Sequence, residues 1–278
     1  MSEHKIPLAG VIGAPIAHSR SPLLHGHWLK KYGIAGYYVP LHIDRSNLED
    51  AIRTLPTLGF VGVNVTIPYK EDVLEFADSV TDRASLIGAA NTLTFRNDGK
   101  IHADNTDGYG FIENLRSGAP MWEPTIGPAL VFGAGGAARA VIASLLEAGA
   151  PEILLTNRTK NRSEGLRSDF GQKVTVVDWV QAANALEDAT TVVNTTSLGM
   201  KGGAEFKISL DRLQKGCVVN DLVYTPLRTK FLEQAEKSGC HTVDGLGMLL
   251  YQGAPGFERW FGVRPEVDEE LRQAVLGA

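Results

Sequence analysis

Short apolar runs alternate with amphipathic stretches along the first third of the chain. The predicted strands are 8–13, 37–41, 61–67 and 89–95, and the predicted helices are 21–31, 47–58, 70–77 and 82–88. Pro68 stops the third strand because proline has no N–H group for a neighbouring strand. Strands that alternate with helices are typical of a mostly parallel α/β sheet.

A loop rich in proline and glycine, residues 117–128, separates this part from a second alternating series. The second series begins with the apolar and glycine-rich segment 129–136. It continues with predicted strands at 152–157, 173–177, 190–195, 217–222 and 241–243, and predicted helices at 137–147, 160–170, 179–187 and 229–238. Two further helices, near 246–261 and 266–276, are followed by no strand. We expect these tail helices to return to the first domain. The pattern thus predicts two α/β domains, one formed by 1–107 with 245–278 and the other by 108–244.

Composition and charge exclude several classes of protein. The chain has 278 residues and a formal net charge of −5, so non-specific binding to nucleic acid is not expected. No apolar run approaches the roughly 18 residues of a membrane span, and the first residues do not form an export signal. The two cysteines, Cys217 and Cys240, fit a reducing cytosol better than a disulfide framework. We therefore expect a cytoplasmic protein without membrane or nucleic-acid partners.

No metal site is expected from the histidines, which are scattered along the sequence. Only His25 and His27 are close, and two residues apart on a helix they point to different faces. No spacing typical of zinc ligands is present. We expect structural or surface roles for all seven histidines.

A glycine-rich turn follows the first strand of the second series. Its residues Gly133, Ala134, Gly135, Gly136, Ala137 and Ala138 have the spacing G-x-G-x-x-A of a dinucleotide-binding turn. Glycine permits the tight turn and the approach of backbone N–H groups to a pyrophosphate, and the helix N-terminus favours negative charge. A tight strand–helix turn without a ligand is the alternative. The flanking strand and helix favour nucleotide binding.

The end of the next strand favours NADP over NAD. NAD-binding proteins commonly have an acidic residue about 20 residues after the glycine turn, where it accepts hydrogen bonds from the ribose. This chain has Asn157, Arg158 and Thr159 there, followed by Lys160 and Arg162. The two guanidinium groups and the ammonium group of this segment suit a 2′-phosphate. A solvated basic helix start is the alternative, although cations at a helix N-terminus are unfavourable without an anion.

Polar residues in the first domain stand where α/β sheets bind ligands, at strand ends and loop starts. Ser19 and Ser21 are two hydroxyls beside a predicted helix N-terminus, which suits a carboxylate, although Ser21 before Pro22 also fits an N-cap. Lys70, Asn91 and Asp107 stand at further strand ends or loop starts along the chain. Their structural alternatives are a solvent-facing lysine, an amide that completes a turn and a helix N-cap.

Together these motifs resemble the shikimate dehydrogenase family. GAPIAHSRSP, NVTIPYK, GAANT, DNTDG, GAGGAAR, NRT and DGLGM with Gln252 occur in the family's order over residues 8 to 260. The resemblance implies an N-terminal substrate domain, a Rossmann-type NADP-binding domain and the reversible NADPH-dependent reduction of 3-dehydroshikimate to shikimate, in aromatic amino-acid biosynthesis. It leaves open whether the protein is a monomer or a homodimer.

The resemblance also implies roles for individual residues. Lys70 and Asp107 resemble the catalytic pair, Ser19 and Ser21 the carboxylate-binding residues, and Tyr224 a tyrosine beside that carboxylate. Contacts to the substrate hydroxyls are implied for Thr66, Asn91 and Gln252. Thr196 and Gly245 complete the cofactor set, and Gly245 resembles a contact of the nicotinamide carboxamide.

Two roles of Lys70 stay open at this point. It can exchange the hydroxyl proton, or stay charged and stabilise the developing oxyanion. Alternative functions are a quinate/shikimate dehydrogenase of broader substrate or cofactor use and a non-catalytic NADP-sensing protein. A sensor would need only the glycine turn, whereas this chain also has the lysine, the aspartate, the asparagine and both serines. Methylenetetrahydrofolate dehydrogenases share the two-domain plan and a catalytic lysine, but not the Ser-x-Ser pattern.

Overall fold

A computed structural model describes residues 6–277 of the chain. The chain folds into two compact units. Unit 1 contains the chain up to Thr106 and again from Leu249 onward, and unit 2 is Asp107–Met248. Asp107 and Gly245 thus fall in unit 2, and the domain boundaries drawn from the sequence stay predictions.

Unit 1 is built on a six-stranded sheet in the order β2-β1-β3-β5-β6-β4. Its strands are β1 (Leu8–Gly13), β2 (Tyr37–His42), β3 (Phe60–Val65), β4 (Ser79–Val80), β5 (Thr92–Phe95) and β6 (Ile101–Asp104). Its first three helices are α1 (Ser21–Lys31), α2 (Leu48–Thr54) and α3 (Asp82–Ile87). β1 pairs in parallel with β2 and β3, and β4 with β6, while β5 is antiparallel to β3 and β6.

The sequence pattern missed β4 and β6. β4 has only two residues, and β6 reads Ile-His-Ala-Asp, which lacks the continuous apolar run of a buried strand. The predicted helix over 70–77 is a 3₁₀ helix at Asp72–Phe76. It ends there because Ala77 is in extended conformation.

Two tail helices, α8 (Leu246–Phe261) and α9 (Glu269–Leu276), end the chain, and from Leu249 onward the tail packs within unit 1. The Trp260 indole on α8 donates a hydrogen bond to the Leu93 carbonyl of β5, at 3.1 Å. Trp28 on α1 donates to the Glu266 carbonyl at 2.9 Å, and Arg20 to the Val275 carbonyl. Buried indole N–H groups need hydrogen-bond acceptors, so these two bonds hold the tail against β5 and α1.

Unit 2 is a parallel sheet of six strands in the order β12-β11-β10-β7-β8-β9. The strands are β7 (Ala129–Phe132), β8 (Ile153–Thr156), β9 (Val174–Val177), β10 (Thr191–Asn194), β11 (Val218–Asp221) and β12 (His241–Val243). The helices are α4 (Asp107–Gly118), α5 (Gly136–Glu147), α6 (Lys160–Phe170) and α7 (Lys230–Lys237). Numbered within the unit, the strand order is 3-2-1-4-5-6, the Rossmann order.

The two faces of this sheet bury different residues of the same strands. Ala129 and Val131 of β7 join the core on the side of α4 and α5, whereas Leu130 and Phe132 join the core on the side of α7. Successive side chains of a strand point to opposite faces, so a strand covered on both sides is apolar throughout. This explains why all four residues of β7, Ala129–Phe132, are apolar.

The predicted helix over 179–187 is wrong. Two 3₁₀ turns, Trp179–Gln181 and Asn184–Glu187, occupy the segment. Ala182 and Leu186 are both buried in the core and are four residues apart, which is also the spacing of one helix face. The pattern of apolar positions therefore did not distinguish one helix from two tighter turns.

Candidate active site

Four strand ends of unit 1 meet at one edge of its sheet. β1 and β3 are neighbouring parallel strands, so their carboxyl ends lie side by side. β5 is antiparallel to β3, with Asn64 opposite Thr92, and β6 is antiparallel to β5, with Asp104 opposite Thr92. The start of β5 and the end of β6 consequently lie at the same edge. The order β2-β1-β3 makes the β1/β3 boundary a topological switch point, where open α/β sheets bind ligands.

The two serines follow β1 at this edge. An N-cap role was the structural alternative for Ser21, and the structure excludes it. Arg20, with φ −88° and ψ −1°, is the N-cap of α1, and its carbonyl accepts a hydrogen bond from the Leu24 N–H at 3.1 Å. Ser21 is therefore the first helical residue, and its side chain does not cap the helix. The Ser19 hydroxyl is half-buried and accepts from the Ser21 N–H at 3.3 Å.

Thr66 and Lys70 follow β3 and are half-buried. The Thr66 N–H donates to the Ile12 carbonyl of β1 at 2.9 Å, which joins the two loops at their base. The Lys70 carbonyl accepts from the Ala90 N–H at 2.7 Å. The loop that bears Lys70 is thus anchored to the segment that leads into Asn91.

Asn91 is buried at the start of β5 with its carboxamide in a hydrogen-bond network. Its Nδ2 donates to Thr106 Oγ1 and to Gln252 Oε1, both at 3.0 Å. Its Oδ1 accepts from the Thr106 N–H at 2.8 Å and from Thr92 Oγ1 at 3.0 Å. Asn91 and Gln252, far apart in sequence, are therefore in direct contact within unit 1.

Asp104, at the end of β6, is a residue that the sequence analysis missed. Its fully buried carboxylate accepts from Arg83 Nε at 2.6 Å and from Thr81 Oγ1 at 2.8 Å, and it pairs with Arg259 of α8. Burial raises the pKa of Asp104, but these hydrogen bonds and the two arginine charges together lower it by more than burial raises it. The pKa of Asp104 therefore lies well below its usual range. These contacts hold Asp104 in place, and with it the start of the segment Asn105, Thr106 and Asp107. Arg83 and Arg259 lie in unremarkable sequence, so only the fold identifies this cluster.

Unit 2 carries three residues that the family resemblance assigns to the catalytic pair, the substrate carboxylate and the nicotinamide: Asp107, Tyr224 and Gly245. Asp107 is buried and is the first residue of α4. Tyr224 is half-buried in the loop after β11. A side chain at Gly245 would have its Cβ 2.3 Å from the Leu222 carbonyl oxygen, so only glycine fits there.

The predicted dinucleotide turn joins β7 to α5. Gly133 has φ +111°, and a Cβ there would lie 2.4 Å from Thr195 Oγ1, so this position requires glycine. Gly135 is the N-cap residue of α5, and Gly136 and Ala137 form its first turn, with Ala134 before them. No side chain caps this helix start. The first N–H groups of α5 therefore fit a phosphate group.

A cavity of about 720 Å³ lies beside this turn in unit 2. Its lining includes Asn157, Arg158 and Trp179, and also Thr196 of the loop after β10. β7 and β10 flank the switch point of the Rossmann order, so the cavity stands where a dinucleotide binds in this fold. Thr159 and Arg162 are exposed at the start of α6, and Asn157 Nδ2 donates to the Thr159 carbonyl at 2.9 Å. The donor set fits NADP.

Lys160, which the sequence grouped with these cations, is engaged elsewhere. Its ammonium lies 2.8 Å from Asp178 Oδ1, and this hydrogen bond raises the lysine pKa. Both residues line a second cavity, of about 190 Å³, which shares Asn157 and Arg158 with the larger one. Lys160 thus neutralises a carboxylate beside the arginine.

The histidines of the described chain do not form a metal site, and among residues 6–277 no group of metal-ligating side chains is found. His4 lies outside these residues. His25 is fully buried in an aromatic cluster, where its ring stacks on Tyr38 with centroids 4.0 Å apart. Burial lowers the pKa of His25 to about 3. Within the same range, none of the helices has the length and apolar character needed to cross a membrane.

Two α/β units, one with a polar switch-point site and the other with a Rossmann sheet and a phosphate-accepting turn, define an NADP-dependent oxidoreductase. Family models for the shikimate dehydrogenase substrate-binding domain, shikimate/quinate 5-dehydrogenase and the shikimate 5'-dehydrogenase C-terminal domain match residues 11–93, 126–200 and 245–276. The chain belongs to the shikimate dehydrogenase family.

Relatives along the whole chain agree with this assignment. Shikimate dehydrogenase (NADP(+)) of Cereibacter sphaeroides is 67% identical over 99% of both chains, and that of Roseobacter denitrificans is 65% identical over 100% of both. The structure of shikimate 5-dehydrogenase from Thermus thermophilus in complex with NADP(H) and shikimate is 35% identical, with a TM-score of 0.87 over 98% of this chain and 99% of that one. Quinate dehydrogenase from Corynebacterium glutamicum in complex with NAD is 30% identical, with a TM-score of 0.89 over 98% and 99%.

Proposed function

We propose that this protein catalyses the reversible, NADPH-dependent reduction of 3-dehydroshikimate to shikimate, in the biosynthesis of aromatic amino acids. The observation that carries the proposal is the convergence of strand ends in unit 1. It brings the loops of Ser19, Ser21, Thr66, Lys70 and Asn91 to one sheet edge at a switch point. High identity to enzymes named for this NADP-linked reaction supports it over the full length.

Each polar group is assigned a role that its chemistry suits. Ser19 and Ser21 donate to the substrate carboxylate, with Tyr224 beside it. Asn91, Gln252 and Thr66 bind the ring hydroxyls, for which amide and hydroxyl groups supply both donors and acceptors. A site built to hydrogen-bond hydroxyls rejects analogues that lack them, because its buried polar groups are then left unpaired.

Lys70 and Asp107 form the proposed catalytic pair. Oxidation of shikimate removes the proton from its C3 hydroxyl and a hydride from the carbon, for which NADP+ held by unit 2 would supply the acceptor. Lys70 takes the hydroxyl proton, or stays charged and stabilises the negative charge that develops on the oxygen. Asp107 is the acidic member of the pair and accepts a hydrogen bond from a substrate hydroxyl.

The cofactor set is proposed for unit 2. Backbone N–H groups of the turn bind the pyrophosphate, and cationic and polar side chains at the start of α6 bind the 2′-phosphate. The turn residues are Gly133, Ala134, Gly135, Gly136 and Ala137, the second set is Asn157, Arg158, Thr159 and Arg162, and Thr196 and Gly245 complete the site. The open face of the turn and the cavity lined by Arg158 support this assignment.

The remaining expectations belong to the same proposal. We infer a cytoplasmic enzyme that acts as a monomer or a homodimer and has no nucleic-acid or membrane partner. The substrate domain is proposed to be 1–107 with 245–278, and the NADP-binding domain 108–244.

The test is reduction of 3-dehydroshikimate with NADPH, with shikimate identified as the product by mass spectrometry. Lys70→Ala is expected to lower kcat by about 10²- to 10⁴-fold, the usual contribution of a proton-transfer group. Its NADPH dissociation constant should not change, because no cofactor contact is removed. Lys30→Ala, which removes an exposed lysine of the same unit, serves as the control. Near-normal turnover by Lys70→Ala would reject Lys70 as the catalytic residue.

A further inference from the structure

Tyr38, on the edge strand β2, has a buried hydroxyl that contacts β3, one of the strands that end at the site. The hydroxyl donates to Asn64 Oδ1 on β3 at 2.7 Å, and the tyrosine is only 8% exposed. Burial raises the pKa of Tyr38 well above its usual value, while a hydrogen bond with Ser21 lowers it. Tyr38 thus keeps its proton and is close to one of the two serines assigned to the carboxylate.

The hydrogen bonds of Asn64 have only one possible direction. Asn64 Nδ2 donates to the Asn91 carbonyl at 3.1 Å and to Thr92 Oγ1 at 3.2 Å. A backbone carbonyl can only accept, so the amide nitrogen must face it. The Asn64 oxygen then faces Tyr38 and requires a donor, which the phenol supplies. Asn64 is 4% exposed, and an unpaired oxygen there would be unfavourable.

Thr92 continues this series of hydrogen bonds from Asn64 to Asn91. Because Thr92 Oγ1 accepts from Asn64, its own proton is free to donate to Asn91 Oδ1, at 3.0 Å. The oxygen of Asn91 is thereby held by Thr92 and by the Thr106 N–H, and its amide nitrogen faces Thr106 and Gln252. Thr92 is fully buried, so it acts on Asn91 rather than on solvent.

We propose that Tyr38 is a positioning residue of the active site: its hydroxyl supplies the donor that the Asn64 oxygen needs, and so supports the hydrogen bonds through Asn64 and Thr92 that hold the Asn91 carboxamide in place. The inference rests on the proposed function, since it assigns Asn91 to the substrate. Tyr38 supports the position of Asn91 without touching the substrate itself.

Tyr38→Phe removes the phenol hydroxyl and retains the ring that stacks on His25. Tyr37→Phe is the matched control, because Tyr37 precedes it on β2 and is 60% exposed. For shikimate, Tyr38→Phe is expected to raise KM about two- to tenfold, the value of one hydrogen bond, with a smaller change in kcat. The NADP+ dissociation constant should stay unchanged. If Tyr38→Phe lowers only the melting temperature and has the KM of Tyr37→Phe, the proposal is wrong.

The Thr92 pair tests the relay independently and decides the question if Tyr38→Phe does not fold. Thr92→Ser retains the hydroxyl and is expected to keep the wild-type KM, whereas Thr92→Val keeps the shape and should raise KM as Tyr38→Phe does. Equal KM values for the Ser and Val variants would overturn the relay.

A spectroscopic readout separates this proposal from the proposed function. The side-chain amide NMR signals of Asn64 and Asn91 should both shift in Tyr38→Phe and not in Tyr37→Phe, with no substrate present. Unchanged Asn91 signals would refute the relay even in an active enzyme. Wild-type protein that does not oxidise shikimate would instead refute the function.

Discussion

His25 is a titratable residue in the middle of an aromatic cluster. Trp28, Tyr38 and Phe257 surround its ring, with centroids 5.6, 4.0 and 5.9 Å away. An ionised imidazole would lose its hydration there, which is why burial lowers the pKa from 6.5 to about 3. The folded protein keeps His25 neutral at a pH where the unfolded chain binds a proton.

This shift predicts loss of stability in acid. Between pH 6.5 and about 3 the unfolded state holds one more proton at this site, so the free energy of unfolding falls as the pH falls. The slope is at most about 1.4 kcal/mol per pH unit. His25→Phe should remove that slope, and His42→Gln, at an exposed histidine of the same unit, should not.

Urea unfolding of wild type and both variants at several pH values between 4.5 and 7 measures this difference. Subtracting the wild-type curve cancels other groups, including Asp221 in unit 2. Burial raises the pKa of Asp221 to about 6, so this residue contributes in the opposite direction below that pH. A parallel pH dependence for His25→Phe and wild type would contradict the assignment.

Single residues also mark the limit of what the sequence predicts. Lys70, Asn91 and Asp107 were found because they stand at strand ends or loop starts, where α/β folds bind ligands, and because they match motifs of the family. Asp104, Asn64 and Tyr38 were not found, because their importance comes from partners distant in the chain. For Ser21 the sequence left an N-cap as the structural alternative to a carboxylate-binding role, and the structure excludes the N-cap because Arg20 occupies that position.

Among the elements, the Rossmann sheet was the most predictable part. Its strands contain short runs of buried apolar residues, such as Ala129–Phe132 and Ile153–Thr156, so most of them could be located from the pattern. The pairing order of the strands is set by contacts distant in sequence, which periodicity does not contain. The short strands β4 and β6 were missed for the same reason, since pairing rather than composition makes them strands.

The start of α6 carries a prediction about the cofactor. Lys160 is paired with Asp178, which leaves Arg158 as the cation of this segment that lines the larger cavity and can meet a 2′-phosphate. Arg158→Gln should weaken NADP+ binding about 10- to 100-fold, as expected for loss of a charged hydrogen bond, and leave NAD+ binding nearly unchanged. Calorimetric titration with both cofactors measures this.

Arg167→Gln is the matched control for that experiment. It removes the same charge from the last turn of α6, where Arg167 is exposed and pairs with Glu164. If both variants lose NADP+ affinity equally, net charge rather than Arg158 is responsible. If Arg158→Gln weakens NAD+ as much as NADP+, the 2′-phosphate is not its partner.

At the scale of the whole molecule, the chain leaves unit 1 at Thr106 and re-enters it at Leu249. The sequence indicated this return because the last two helices have no strand to cover. The net charge of −5 gives no information about a substrate and a cofactor that are both anions. We propose that their binding depends on local donors: serine hydroxyls in unit 1, and helix N–H groups and Arg158 in unit 2.

This enzyme is expected to oxidise shikimate with NADP+. The most direct measurement is NAD(P)H formation by purified, folded protein with shikimate or quinate, each supplied with NADP+ or NAD+. We predict the highest kcat/KM for shikimate with NADP+, by about tenfold or more over the other three combinations, because differential hydrogen bonding sets such ratios. Comparable rates with quinate or NAD+ would indicate the broader dehydrogenase instead. The absence of NADPH formation from shikimate would contradict the account.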